Sequence, residues 1–151
     1  MNLGLKNRIY QIIIITICFS FDQFTKNFIN FNYLKIINKD LIIFTIEYVK
    51  NDGAAFSLFS GSRLFLSIIS ITSTLILSYF IFIKEKNTYN NYGLSFILAG
   101  TLGNGIDRVL TGQVIDFIKI KFISFPVFNI ADVLINLGVL ILIINFLKNK
   151  N

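Results

Sequence analysis

Acidic residues are scarce in this chain, and they gather in one interval. Of eight Asp and Glu residues among 151, three (Asp107, Asp116 and Asp132) fall between Gly100 and Asp132. Two carboxyl groups within about 3 Å of each other share one proton, so one can activate a water while the other protonates a leaving group. Asp116 and Asp132 are therefore a candidate aspartic dyad for hydrolysing an amide without a metal. Their spacing in sequence is uninformative, because a re-entrant loop must bring them together.

The residue types that are missing limit the other kinds of active site. The chain has no histidine and a single cysteine, Cys18, so its own residues cannot form a Ser-His, Cys-His or histidine-ligated zinc site, or an internal disulfide. Cys18 lies in an apolar run and is interpreted as a packed, unreactive thiol. A Ser/Lys peptidase that uses Ser57 with Lys50 or Lys26 is an alternative. We expect no metal and no cofactor.

Composition places the chain among integral membrane proteins. Hydrophobic residues make up 54% of the chain and charged residues 15%, and the mean hydropathy is +0.70. The length indicates a single domain over 1–151. A formal net charge of +6 would suit nucleic acid, but the lysines lie at the ends of apolar segments, where they orient a protein in a bilayer. We therefore expect no nucleic-acid partner.

Four apolar stretches predict membrane-spanning helices. They cover about 9–28, 63–83, 93–110 and 130–147. The first stretch contains Asp22 and Lys26, whose i, i+4 spacing allows an ion pair on one helical face. That pair either snorkels at the interface or has a functional role.

Between the first and second stretches the pattern changes. From 31 to 48 the residues are largely β-branched or aromatic, which predicts short strands, and Asn51-Asp52-Gly53 predicts a turn. The predicted fold is a mainly α membrane protein of four transmembrane helices, with a small extracytoplasmic β-sheet segment at about 31–60 between helices 1 and 2.

Charge predicts the orientation of the four helices. Lys and Arg are denser in 1–8, 84–92 and 148–151 than in 28–62 and 111–128, so both termini are predicted to be cytoplasmic. The polar residues of interest then all lie at the outer ends of the helices. A proton or ion carrier, a second alternative, would instead place its acids in the middle of the spans. A non-enzymatic membrane scaffold is a third alternative.

Four motifs, in order, resemble those of the bacterial lipoprotein signal peptidases, the type II signal peptidases. The motifs are Asn51-x-Gly53-Ala54-Ala55-Phe56-Ser57, Gly100-x-x-Gly103-Asn104-x-x-Asp107-Arg108, Val114-x-Asp116-Phe117 and Phe128-Asn129-x-Ala131-Asp132. Asp22 and Lys26 also match. The sequence departs from the family at Val133, where many members carry Ser.

The resemblance implies a membrane aspartic endopeptidase that removes the signal peptide from prolipoproteins, cutting before the lipid-modified cysteine. It implies that Asp116 and Asp132 are the catalytic pair. Positions that line the site or bind substrate in the family are occupied here by Asn51, Gly53, Asn104, Arg108 and Asn129. Supporting positions are occupied by Asp22, Lys26, Gly103, Asp107 and Ala131.

The expected partners follow from the same resemblance. They are lipid-modified prolipoproteins, membrane phospholipid, and cyclic peptide antibiotics that occupy the dyad. The protein is expected to act as a monomer in the bacterial inner membrane, with its active site at the outer face.

Overall fold

The structure is a computed structural model that describes residues 3–54, 58–84 and 88–150. Four α-helices and two strands make up the described chain. In order they are α1 (Leu3–Ile36), β1 (Phe44–Asn51), α2 (Arg63–Tyr79), α3 (Thr88–Leu110), β2 (Val114–Ile120) and α4 (Ile130–Lys148). A π-helical turn, Phe80–Lys84, continues α2.

Three of the helices in the described residues are long and apolar enough to cross a membrane. They are Leu5–Ile36, Arg63–Lys84 and Ile130–Lys148. Their apolar side chains are widely exposed, as on Phe24, Ile68 and Ile143, which suits a surface that faces lipid. The structure therefore confirms a mainly helical membrane protein, while α3 does not meet the same criterion.

The exception, α3, is the central helix of the bundle. It contacts α1, α2 and α4, and it carries the glycines, asparagines and charged residues of the second motif. A Cβ at Gly100 would collide with the Ala131 carbonyl oxygen, and one at Gly103 with the Asp22 carboxylate. Because other helices cover it, α3 needs few lipid-facing apolar residues.

The β-structure differs from the prediction in two ways. Residues 31–36 belong to α1, which runs past the predicted end at 28, so the strand prediction is wrong there. The partner of β1 is β2, which lies between α3 and α4 and was not predicted. The placement between helices 1 and 2 is thus right for one strand of the two. Residues 31–36 became helical because they extend an existing helix without a breaker.

Pairing of β1 with β2 places the first motif next to the third. The strands are antiparallel, with Val49 opposite Asp116 and Asn51 opposite Val114. After β2 the chain turns back, and Phe128 pairs with Ile118 in an isolated bridge. Asn129 follows directly and caps the start of α4, so the end of β1, the middle of β2 and the start of α4 meet at one place.

Candidate active site

Asp116 reaches the site from β2, where the prediction expected a re-entrant loop. Only 3% of the residue is exposed. Asn51, at the end of β1, donates from Nδ2 to Asp116 Oδ2 (2.9 Å), and Asn129 donates from Nδ2 to Asp116 Oδ1 (2.6 Å). Both carboxyl oxygens are therefore held by amides from neighbouring elements, as a buried carboxyl group requires.

Asp132 lies in the first turn of α4 and is half-buried. It forms a reciprocal capping box with Asn129: Asp132 N donates to Asn129 Oδ1 (3.1 Å), and Asn129 N donates to Asp132 Oδ2 (3.0 Å). This local motif satisfies two backbone donors at the helix start. It also fixes the rotamer of Asp132 beside the positive end of the helix dipole, where negative charge is favoured.

Asn104 of α3 links the two halves of the site. Its Nδ2 donates to Asp132 Oδ1 (2.8 Å), and its Oδ1 accepts from Asn129 Nδ2 (3.0 Å). Because Asn129 also holds Asp116, the two carboxyl groups share one network of side-chain amides. The strand and the helix that carry the two carboxyl groups thereby have fixed positions relative to each other.

A buried ion cluster lies behind Asn104. Lys26 Nζ is 2.8 Å from Asp22 Oδ2 and 2.7 Å from Asp107 Oδ2, and it donates to Asn104 Oδ1 (2.9 Å). Asp22 is 0% exposed and Lys26 is 2% exposed, so the pair does not snorkel. Asp107 is an ion-pair partner of Lys26. Asp22 Oδ1 also accepts the backbone N–H of Ala131 (2.8 Å), one residue before Asp132.

Gln23 is a member of this cluster that the sequence analysis missed. Its Nε2 lies within 3.2 Å of Asp22 Oδ2, of Asp107 Oδ1 and of the Gly103 carbonyl oxygen. A polar residue beside Asp22 in an apolar helix was the available signal, because such residues in membrane helices generally face the bundle interior.

Arg108 connects α3 to the turn after β1. Its Nη2 donates to the Gly53 carbonyl (3.0 Å) and its Nη1 to the Asn104 carbonyl (3.3 Å), while its buried Nε has no hydrogen-bond partner among the described residues. The Gly53 N–H donates to Asn51 Oδ1 (2.9 Å), which confirms the predicted turn. The guanidinium therefore retains one donor without a partner among the described residues, and its charge interacts with both Asp116 and Asp132.

The two carboxyl groups line a cavity of about 730 Å³. Its polar lining includes Asn51, Asn104 and Arg108, and the rest is mostly apolar. Along α4 the wall consists of Val133, Leu137 and Leu140, and the segment after β2 supplies Phe125, Pro126 and Phe128. The volume lies within the range of ligand sites, and an apolar wall with a few convergent polar groups is typical of them.

Burial raises the pKa of Asp116 to about 6, and the nearby charge of Asp132 acts in the same direction. Hydrogen bonds from Asn51 and Asn129 oppose the increase. Asp116 therefore holds a proton at a pH where an ordinary aspartate has lost it, which suits a group that donates a proton in a reaction.

All twelve predicted site residues lie in this region, and most of them contact one another directly. They come from five elements and two junctions that are far apart in sequence. Within the described residues no group of three His, Cys, Asp or Glu side chains has the arrangement of a metal site. Ala55, Phe56 and Ser57 of the first motif lie outside the described residues, so the predicted Ser57 pairing does too. The catalytic and binding roles of the site residues remain predictions.

Comparison with known proteins gives a consistent result. The family model for signal peptidase (SPase) II matches residues 14–148. A lipoprotein signal peptidase of Lactococcus lactis subsp. lactis is 36% identical over 146 residues, covering 95% of this chain and 97% of the relative. One of Nostoc punctiforme is 41% identical over 143 residues, covering 93% and 90%.

A solved structure agrees with these matches. A bacterial membrane enzyme determined by the in meso method at 2.3 Å resolution superposes with a TM-score of 0.84 at 38% identity, covering 94% of this chain and 90% of that one. Sequence and fold are therefore similar over nearly the whole chain. This chain belongs to the signal peptidase II family, and it is an integral membrane peptidase.

Proposed function

We propose that this protein is an aspartic endopeptidase that cleaves the signal peptide from prolipoproteins immediately before the diacylglyceryl-modified cysteine. The names of its relatives supply the substrate class. The observation that supports an aspartic mechanism is the pair Asp116 and Asp132. Both side chains belong to one amide network and line one cavity.

In the proposed mechanism the two carboxyl groups share a single proton. Asp116, the more buried of the two, holds it, and Asp132, at the positive end of the α4 dipole, is the base. Asp132 takes a proton from a water whose oxygen attacks the carbonyl carbon before the cysteine. Asp116 then donates its proton to the leaving nitrogen as the C–N bond breaks. A proton passing from Asp132 to Asp116 restores the starting state.

Substrate geometry supports this assignment. A diacylglyceryl cysteine keeps its acyl chains in the bilayer, so its scissile bond lies at the membrane surface. We propose that α1 to α4 all cross the membrane, with both termini cytoplasmic and the sheet at the outer face. The dyad then lies at the outer interface, and the apolar wall of α4 extends from it toward the bilayer interior.

The test is cleavage of a diacylglyceryl-modified prolipoprotein by the purified protein in phospholipid vesicles, with EDTA present throughout. Mass spectrometry of the product locates the cut. We expect wild type to release a product that begins with the modified cysteine. Asp116→Asn and Asp132→Asn should each lower kcat by about 10³-fold or more, because each removes a proton-transfer group without changing side-chain volume.

Two results would contradict the proposal. Cleavage that persists in both Asn variants would mean that the carboxyl groups are structural. Inactivity of the wild-type protein on modified precursor would remove the substrate assignment. If activity is lost instead in Ser57→Ala and Lys50→Ala, the Ser/Lys alternative takes its place. The unmodified precursor serves as the control substrate and should not be cut.

A further inference from the structure

Each N–H donor of the Lys26 ammonium has an acceptor, although Lys26 belongs to neither the dyad nor the cavity wall. An ammonium group has three N–H donors. Lys26 Nζ has three acceptors within 2.9 Å: Asp22 Oδ2, Asp107 Oδ2 and Asn104 Oδ1. Two of these contacts neutralise buried charge. The third is to the neutral amide of Asn104, which takes the remaining N–H of the ammonium.

The third contact determines which way the Asn104 amide points. Asn104 Oδ1 accepts from both Lys26 Nζ and Asn129 Nδ2. If the amide were rotated by half a turn, its NH2 group would face two other donors. With Oδ1 held by Lys26, Asn104 Nδ2 has to point to Asp132 Oδ1, where it lies at 2.8 Å. A hydrogen bond to a cation also polarises the amide and strengthens the N–H that it donates.

We propose that Lys26 is a positioning residue of the dyad, which acts through Asn104 to orient Asp132. This inference rests on the proposed function. Lys26 contacts neither Asp116 nor Asp132 directly, so its effect on the orientation of Asp132 is relayed by Asn104, while its charge acts on the dyad through space. The neighbouring Asp22 supports the same arrangement from the other side, because it holds the Ala131 N–H at the start of α4.

The charges around the site determine the direction of the expected pH effect. Lys26 is paired with Asp22 on α1 and Asp107 on α3, and its charge also acts on Asp116 of β2. The other cation at the site, Arg108 of α3, interacts with Asp107, Asp116 and Asp132. Without the lysine, the dyad loses a nearby positive charge and keeps the two negative ones. The dyad then binds its protons more tightly, so both limbs of the pH profile should move to higher pH.

The experiment compares Lys26→Met with wild type in the vesicle assay across pH. Methionine keeps the apolar stem and removes the charge and the donors. We expect kcat to fall by about 10- to 100-fold with KM within twofold, and the pH profile to move upward by about one pH unit. Lys119→Met is the matched control. Lys119 lies on the sheet, paired with Glu47 at 2.8 Å, and its variant should match wild type in kcat and in pH profile.

The double variant Lys26→Met/Asn104→Leu distinguishes an action of Lys26 through Asn104 from a general structural role. If Lys26 acts through Asn104, Lys26→Met should add no more than about a twofold loss to Asn104→Leu. Multiplicative losses, or a lower kcat with an unmoved pH profile, would show a merely structural role and overturn the inference. Retention of wild-type kcat by Lys26→Met would overturn it as well.

Lys26→Met leaves the carboxylates of Asp22 and Asp107 without their cation, so a second variant tests the inference if this one fails to fold. Asp22→Asn/Lys26→Met/Asp107→Asn removes all three charges together. We expect this variant to fold and to keep the kcat loss, because its Asn104 still lacks the ammonium partner. Wild-type kcat in this variant would overturn the inference. Failure of the proposed function looks different, because it appears as an inactive wild type or as active Asp116→Asn and Asp132→Asn variants.

Discussion

Two polar clusters lie inside the helical bundle, at opposite ends. The dyad cluster, at the sheet end, joins Asp22, Lys26, Asn104, Asp107, Asp116, Asn129 and Asp132. The amide cluster, at the other end, consists of neutral side chains. There Asn7 Nδ2 donates to Thr88 Oγ1 (3.1 Å), Asn145 Nδ2 donates to Asn90 Oδ1 (2.6 Å), and Gln11 is 1% exposed.

The clusters differ in charge and in connectivity. Neutral hydrogen bonds between membrane helices contribute about 0.6 kcal/mol each on average, so the amide cluster suits helix association. Burial of ions costs several kcal/mol per group, and pairing recovers that cost only when the geometry is good. The dyad cluster holds buried and half-buried charged groups from α1, α3, α4 and β2 and joins them in one network. That arrangement is poorly explained by stability, which supports a catalytic role for that end.

The dyad cluster contains a carboxyl group that titrates near neutral pH, whereas the amide cluster consists of neutral side chains. This difference gives the largest expected effect, a dependence of kcat/KM on pH. Burial, with the charge of Asp132, raises the pKa of Asp116 to about 6. The mechanism needs the proton on Asp116, so kcat/KM should fall about tenfold per pH unit above pH 6, or about 100-fold at pH 8 relative to the plateau. The measurement is initial cleavage rate at low substrate concentration from pH 4.5 to 8.5. A flat profile between pH 5 and 8 would contradict the assignment of Asp116 as acid.

The same titration has a consequence for stability. A carboxyl group whose pKa is raised on folding stabilises the folded state when protonated, and that contribution is lost as the pH rises through about 6. Wild type should therefore lose stability between about pH 4 and 6 relative to Asp116→Asn, because the unfolded carboxyl group has its ordinary pKa of 3.8. Thermal unfolding in detergent micelles measures this loss. Parallel curves for the two proteins would contradict burial of this group.

Two glycines in the α3–α4 interface, one beside the dyad and one away from it, can be replaced by alanine at similar cost in packing energy. A Cβ at Gly100 would collide with the Ala131 carbonyl oxygen, next to Asp132, and a Cβ at Gly138 would collide with the Gly93 carbonyl oxygen, away from the dyad. Gly100→Ala and Gly138→Ala should each lower the free energy of unfolding by about 1–3 kcal/mol, because α4 must shift from α3. Thermal unfolding measures this loss.

Activity should separate the same two variants. Gly100→Ala moves the first turn of α4 and so displaces Asp132, and its folded fraction should lose about tenfold or more in kcat, since small misplacements of catalytic groups are costly. Gly138→Ala should keep the kcat of wild type per folded molecule. Equal kcat losses in both variants would mean that the dyad depends on the whole α3–α4 interface and not on its sheet end.

The sequence predicted the number of helices and most residues of the site. It did not predict the strand β2, the end of α1 or the packing of the helices against one another. Apolar runs located α2 and α4, and the four motifs together with the Asp22 and Lys26 match contained every residue of the dyad cluster. The strand β2 was missed because Val114–Ile120 carries Asp116 and Lys119 and has no clear two-residue alternation, so its partner decided its conformation. The end of α1 was missed because the residues of 31–36 favour strands and are held in a helix by its continuation. The position of Gln23 depends on how α1 is rotated against α3, which no local pattern determines.

The smallest expected effect comes from the amide cluster. Asn7→Ala removes one neutral hydrogen bond to Thr88 and should lower the free energy of unfolding by about 0.6 kcal/mol, while kcat and its pH profile stay at wild-type values. A double-mutant cycle with Thr88→Val isolates the pair, and its coupling energy should be of the same size. If Asn7→Ala changed kcat or moved the pH profile, the amide cluster would be coupled to the dyad. The contrast between a neutral end that holds helices together and a charged end that does chemistry would then fail.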